Sequence, residues 1–439
     1  MSKLKKISNG MNPNLIELNY PIDFRKEEAQ ELGNHIKNRR SVVLTGMKRV
    51  GISNFLRFFL YHGGISKKYL NDKNYFMVPV DLNDLVEREI YPFWVLTFKR
   101  LADAVEKADM PQKVKKQIDF YFSDSIQSQD LFLTIDFLRK SLVYLCDQGY
   151  LPTIFFIRFD RMKDALTHDL FANIQGLLDA TGRHLSYVFT SARALDQVEP
   201  GIITRQEVLV FSDNVYVKPA KKSDTQIVVE SRVKQYNLKL DRQTFGELLK
   251  LVDGHTQYLL YALISLREAD KNIKSGELFG FLKNDERILL QSEELWESLT
   301  ANEQEILLKV IAGRKLSSGE LKQGEYLINT GFFDPNSLKI FSPIFDFFVR
   351  SKSKELKEKT NSDFSKKEND LLIFLESNKN QICEREQIIE AVWPETESLG
   401  VTDWAIDRLV ARVRNKLKDH DKNYEIITVK TRGYKLIDK

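Results

Sequence analysis

Eight residues, Gly46-Met47-Lys48-Arg49-Val50-Gly51-Ile52-Ser53, have the outline of a loop that could hold phosphate. In a G-x-x-x-x-G-K-[ST] loop the backbone amides and the start of the next helix cradle phosphate oxygens, the lysine meets the outer phosphates, and the hydroxyl sits on Mg²⁺. Gly46, Gly51 and Ser53 are in place, but Ile52 stands where the lysine belongs and has no donor to offer. Lys48 and Arg49 are the nearest cations; each either reaches inward to compensate or stays a solvated loop charge. The second half of such a site is a carboxylate at the end of a buried strand. Thr153 to Phe159 has the apolar strand, yet Ile157 or Arg158 takes the carboxylate's position. Asp160 is the acid nearby, and it either serves at a shifted position or acts as an ordinary cap or surface pair. Loss of lysine and acid together implies decay of hydrolysis. The chain is therefore not expected to be an enzyme, and no cofactor is assigned to it, ATP or ADP with Mg²⁺ being what such a loop could take.

A second constellation lies near the end of the chain. From about Thr402 to Lys418, Ile406, Leu409, Val410, Val413 and Leu417 fall on one helical stripe, and Trp404, Arg408, Ala411, Arg412 and Asn415 fall opposite. A helix with a dry face and an arginine-bearing wet face suits the DNA major groove. Arginine can bond guanine bidentately, asparagine adenine, and rim cations such as Lys416 neutralise phosphate. Tyr424 to Val429 and Tyr434 to Leu436 then alternate as strands around Lys430, Thr431, Arg432 and Gly433, a tight basic hairpin whose Lys430 and Arg432 can lie along the backbone or minor groove. The arginines have an alternative use, pairing with Asp403, Asp407 or another subunit.

These residues need elements to hold them. Arg40 to Gly46 reads as a buried strand entering the Gly-bounded loop, and Ile52 to Tyr61 as the helix leaving it. Further strand-like runs at Tyr75 to Val80, Thr153 to Phe159 and Ser186 to Thr190 alternate with helix-length segments, the pattern of a parallel sheet. From Lys222 to Lys271 helical spacing takes over. Near Trp296 a helix, a helix and the hairpin-like Gly331 to Phe341 suggest a winged helix, and the Lys- and Glu-rich stretch Ser351 to Thr360 a solvated linker or frayed helix. Ser365 and Glu384 open the two helices before the arginine-bearing one. The fold class is multidomain α/β plus α+β, a P-loop-type parallel sheet core with a helical lid followed by two winged-helix domains. The expected boundaries are a polar leader 1–19, the core domain 20–215, the lid 216–289, a winged helix 290–350, a charged linker 351–362 and a last winged helix 363–439.

With 439 residues, 42% of them hydrophobic, the chain has material for several cores, and a net charge of +4 leaves any nucleic-acid affinity to a local patch. Cys146 and Cys383 lack the paired spacing of a zinc site, so neither disulfide nor structural zinc is expected. The first ten residues lack an apolar signal segment, and the most apolar stretch, Ser141 to Asp160, is interrupted by Asp147 and Gln148. A cytoplasmic protein with no membrane partner is the expectation.

The last 75 or so residues resemble the effector domain of OmpR/PhoB-type response regulators. Ile406 to Leu417 is similar to that family's third helix, Thr428-Val429-Lys430-Thr431-Arg432-Gly433-Tyr434-Lys435-Leu436 to its wing, and Trp393-Pro394 to the step before its recognition loop. Thr431 departs from the usual glycine, and no preceding receiver domain with a phosphoacceptor Asp is recognisable. The resemblance implies a helix-turn-helix-type contact with duplex DNA. Residues 20 to 350 resemble the STAND and origin-recognition-like branch of AAA+ ATPases, through the loop and through Leu251-Val252-Asp253-Gly254-His255-Thr256, which looks like their Gly-His-Pro lid motif with Thr256 for Pro. Ser191, at the end of its strand, stands where that family carries a polar sensor residue, the alternative being an ordinary helix cap. This resemblance implies nucleotide-controlled oligomerisation. The expected function is a DNA-binding regulator or assembly factor whose hydrolysis-deficient core forms a homo-oligomer or docks a protein partner. The alternatives are an active STAND-type ATP-dependent switch in transcription or defence, and a structural subunit whose winged helices dock proteins.

Overall fold

The computed structural model describes residues 15–71, 74–198, 202, 212–269, 273–358, 364–394, 401–419, 424–429 and 432–438. They divide into two compact units, one of Met1–Lys239 with Asp253–Gln257 and Glu325–Phe332, the other of Leu240–Val252, Tyr258–Gly324 and Phe333–Lys439.

The first unit is built on a parallel sheet of β1 (Ser41–Thr45), β2 (Tyr75–Asp81), β3 (Leu151–Ile157), β4 (Ser186–Ser191) and β5 (Ser212–Tyr216), in the order β2-β3-β4-β1-β5. Every residue of β1 and β4 is buried, as expected of strands covered by helices on both faces, so their Val, Leu and Phe runs need no alternation. Phe156 of β3 stacks on Tyr187 and Phe189 of β4 at centroid separations of 5.7 and 5.5 Å. Each such ring contributes about 1.5–3 kcal/mol by burial. The order leaves β4 between β1 and β3, so the carboxyl ends of these three strands are adjacent. Helix α1 (Lys26–Lys37) precedes β1, and α2 (Ile52–Tyr61) and the short α3 (Ile65–Tyr69) follow it. Between β2 and β3 run α4 (Ile90–Lys107), α5 (Gln112–Ser128) and α6 (Leu131–Asp147), the last started by Asp130, whose side chain accepts from the Leu133 amide at 2.8 Å. The apolar stretch Ser141 to Asp160 is thus the end of α6 running into β3. No helix among the described residues is long and apolar enough to cross a membrane. The strand β5 lies across the expected end of the core domain at 215; among the described residues it is the edge strand, paired with β1, which tolerates the polar Ser212-Asp213-Asn214.

The second unit is helical at first: Arg242–Val252, the helix Thr256–Glu268 that enters it, Ser275–Leu282, Glu286–Glu297, Ala301–Ile311 and Ser318–Gln323. Thr300 with Glu303 and Ser317 with Glu320 close capping boxes at the last two of these. The hairpin of β6 (Phe333–Asp334) and β7 (Lys339–Ile340) follows, then a helix Pro343–Glu358. That helix runs through the first part of the expected linker: Phe345 and Val349 anchor it in the core, and Lys352 pairs with Glu355 one turn on at 3.1 Å.

The chain's last domain has its own apolar core. Leu371 and Leu375 of the helix Lys366–Ser377, Ile388 and Val392 of Arg385–Val392, and Ile406, Leu409, Val410, Val413 and Leu417 of Asp403–Asp419 are buried together with Trp393, Ile426, Tyr434 and Leu436. Ser365 and Glu368 form the capping box of the first helix, Glu384 and Gln387 that of the second. β8 (Cys383–Glu384), β10 (Gly433–Asp438) and β9 (Tyr424–Val429) make an antiparallel sheet in that order. Gly433 is required there, since at φ 146° a side chain would put its Cβ 2.1 Å from the Cys383 carbonyl oxygen.

Candidate nucleic-acid interface and phosphate loop

The loop after β1 is folded in on itself. Met47 and Val50 are buried, and Val50 Cγ1 and Ile52 Cδ1 stand 3.0 and 3.4 Å from where a Cβ on Gly46 would lie. The Val217 carbonyl oxygen, at 2.6 Å from that position, and apolar carbon of Val50 and Ile52 thus crowd the glycine of the loop. Gly51, at φ 116°, caps the N-terminus of α2, and a Cβ there would be 2.3 Å from Thr256 Oγ1. Two loop carbonyls are tied down: Thr256 Oγ1 donates to Val50 O at 2.9 Å, and His255 Nε2 to Lys48 O at 2.9 Å. The side chain of Lys48 is half-buried and that of Arg49 exposed.

At the end of β3, Arg158 adopts a left-handed conformation (φ 61°), donates its amide to Thr190 Oγ1 at 2.7 Å, and pairs its guanidinium with Asp81 at the end of β2. A cation therefore occupies the position of the expected carboxylate. Asp160 lies beyond the strand, half-buried, in the 3-10 turn Phe159–Ala165. Ser53 and Arg158 line one cleft of about 430 Å³ together with Asp81, Arg57 and Arg100. Ser191 is buried at the end of β4, opposite Thr45 in register, and its hydroxyl accepts from the Arg193 amide at 3.3 Å. The arrangement brings Ser53 and Arg158 together in a cleft that Asp84 and Asp103 also line, with a guanidinium at the strand-end position expected of the metal-linked carboxylate. Asp81 escaped the sequence reading; its position at the end of a strand-like run was the available signal.

His255 is fully buried, and burial, with the charge of Arg49 adding to it, holds its imidazole down to about 4 against the opposing bond to Lys48. The unfolded chain keeps the ordinary value of about 6.5, so as pH falls it takes up the proton first. Stability contributed by neutral His255 is therefore full above about 6.5 and lost as pH falls toward about 4. Between about pH 7 and pH 5 the wild-type chain should lose about 2 kcal/mol through this group, and His255→Asn should lose less over that interval. Urea titrations of both proteins at the two pH values check this; equal losses would contradict it.

In the last domain the third helix, Asp403–Asp419, buries the stripe expected of it. Arg408, Arg412 and Lys416 follow at four-residue intervals along one flank. Arg408 Nε meets Glu297 Oε2 at 2.5 Å; Arg412 Nη1 meets Glu293 and also Glu297 Oε1 at 2.9 Å. Lys416 Nζ lies 2.5 Å from Glu368 Oε2, and Arg412 Nε 3.4 Å from its other oxygen. The arginines' expected alternative partners, Asp403 and Asp407, pair instead with Arg385 at 3.4 and 2.6 Å, and the Tyr434 hydroxyl donates to Asp407. Trp404 is half-buried against the core, whereas Asn415 is exposed. Arg414 braces the wing, donating to Ile426 O at 2.7 Å and Thr428 Oγ1 at 2.8 Å. Arg432 is exposed at the start of β10, 4.0 Å from Glu384; Lys430 lies outside the described residues.

Electrostatics distinguish the acids. Burial and the neighbouring charge of Glu293 push the Glu297 carboxyl above its ordinary range, against the pull of Arg412 and Arg408. For Glu368, burial acts in the same direction but is outweighed by the bonds from Lys416 and from Ser365, which hold its carboxyl low. Glu293, Glu297, Glu368 and Arg385 were not singled out in the sequence; only the i, i+4 spacing of the first two was visible there.

Residues 359–436 match the family described as transcriptional regulatory protein, C terminal. The response regulator ArlR of Staphylococcus haemolyticus is 39% identical over 72 residues, 16% of this chain and 32% of that protein, and ArlR of Staphylococcus aureus strain Mu50 is 38% identical over 72 residues, with the same coverage. The chain spans about a third of the length of these curated relatives. Among solved structures, a Walker-type ATPase of Pyrococcus abyssi is similar with a TM-score of 0.49 at 17% identity, covering 79% of this chain and 99% of that one. The ORC1 protein of Aeropyrum pernix in complex with DNA gives a TM-score of 0.42 at 12% identity, covering 97% of this chain and 91% of that one. The C-terminal domain is a winged helix of the transcriptional-regulator type.

Proposed function

We propose that this chain is a DNA-binding regulator whose C-terminal winged helix contacts duplex DNA, carried on a P-loop-type core that resembles AAA+ proteins and does not hydrolyse ATP. The observation that carries this reading is the third helix: one face buried in a transcriptional-regulator winged helix, the other bearing Arg408, Arg412, Asn415 and Lys416, with Arg432 on the adjacent wing. Arg408, Arg412 and Asn415 are suited to base edges, and Lys416, Lys430 and Arg432 to phosphates. The core then supplies self-association or a partner surface, and the domain division given by the sequence is retained as part of the proposal.

Fluorescence polarisation of the full chain on a pool of random duplexes tests it. Between about 50 and about 200 mM salt, affinity should fall on the order of a hundredfold if about four phosphates are neutralised. Added ATP should leave it unchanged. Salt-independent binding would contradict the reading, as would no binding at low salt either by the wild-type chain or by a variant in which Glu293 and Glu297 are neutralised. One observation favours the rival view that the winged helix docks protein: Arg408 and Arg412 already engage protein carboxylates. That view expects no DNA binding even when those carboxylates are neutralised.

A further inference from the structure

In the helix Glu286–Glu297, Glu286, Leu290, Glu293 and Glu297 recur three to four residues apart and so lie in one stripe. Each member of the stripe meets the C-terminal domain. Glu286 pairs with Lys367, Leu290 packs against the domain's apolar core, Glu293 pairs with Arg412, and Glu297 with both Arg412 and Arg408. The facing stripe on the third helix, Arg408, Arg412 and Lys416, is the basic flank of the surface assigned above to DNA. Carboxylate oxygens on a guanidinium reproduce the contact that a DNA phosphate would make.

We propose that the helix Glu286–Glu297 is a built-in DNA mimic, its Glu293 and Glu297 holding Arg408 and Arg412 in an autoinhibited state that duplex DNA must displace. This rests on the reading of the third helix as a DNA contact. The Glu297–Arg412 pair is not a loose surface pair. The Glu297 side chain is 10% exposed and that of Arg412 29%, so salt screens them less than it screens exposed ions. Closure covers one flank only: Asp403, Asp407 and Asn415 remain exposed, so DNA binding calls for the parting of two helices and not for unfolding of the domain. The device is a two-state equilibrium, and whatever neutralises or draws off the acidic stripe raises DNA affinity by the bias it removes.

The test compares full chains on the random duplex pool at low salt. Glu293→Gln with Glu297→Gln should bind roughly ten- to a hundredfold more tightly than wild type. A control with Glu305→Gln and Glu355→Gln removes the same charge from exposed positions elsewhere and should gain less than about threefold, the general effect of net charge. The single Glu293→Gln, which keeps Glu297 and its two arginines, should give an intermediate gain and decides the matter if the double variant is unstable. No gain in the interface variants, or an equal gain in the control, overturns autoinhibition while wild-type binding leaves the DNA reading standing. Absence of binding by wild type and variants alike overturns both.

Discussion

Steady phosphate release from ATP by the full chain should not exceed background, and Ile52→Lys should not restore it. The reason lies in more than the missing lysine. The loop is held by packing of Val50 and Ile52 near Gly46 and by the bonds of His255 and Thr256 to its carbonyls, so a lysine at 52 would have to leave a contact position beside Gly46 to meet a phosphate. In the cleft that Ser53 also lines, the Arg158 guanidinium pairs with Asp81. Phosphoryl transfer depends on positioning and on charge stabilisation by metal and lysine, and position 52 offers no lysine. A colorimetric phosphate assay on wild type, Ile52→Lys and Ser53→Ala checks this. Release by wild type that Ser53→Ala abolishes would show that the loop works in spite of its composition.

The parts that could be read from the sequence are those carried by local periodicity. The buried stripe Ile406, Leu409, Val410, Val413 and Leu417 announces itself at helical spacing, as do the caps at Ser365 and Glu384, because each depends on residues a few positions apart. The strands β1 to β4 were visible because a parallel sheet covered on both faces demands unbroken apolar runs. The strand β5 was not, since an edge position among the described residues tolerates Ser212-Asp213-Asn214. What the site does with its charges was also hidden. Arg158 and Asp81 are 77 residues apart, Arg412 and Glu293 119, and nothing local marks such partners. Glu368 shows why a motif can conceal a second role: its capping box with Ser365 is legible, its bond to Lys416 is not. The same distance explains why the arginines, read as DNA contacts with Asp403, Asp407 or another subunit as the alternative partners, are found against an acidic helix of the same chain that neither reading named.

Residues 361–439 expressed alone provide the most direct test that the C-terminal domain binds DNA, because this segment carries its own core and leaves Glu293 and Glu297 behind. It should be folded by circular dichroism and should bind a pool of random duplexes at low salt about ten- to a hundredfold more tightly than the full chain, with affinity falling steeply as salt rises. A folded segment that binds no duplex at low salt would contradict the assignment, whatever the full chain does.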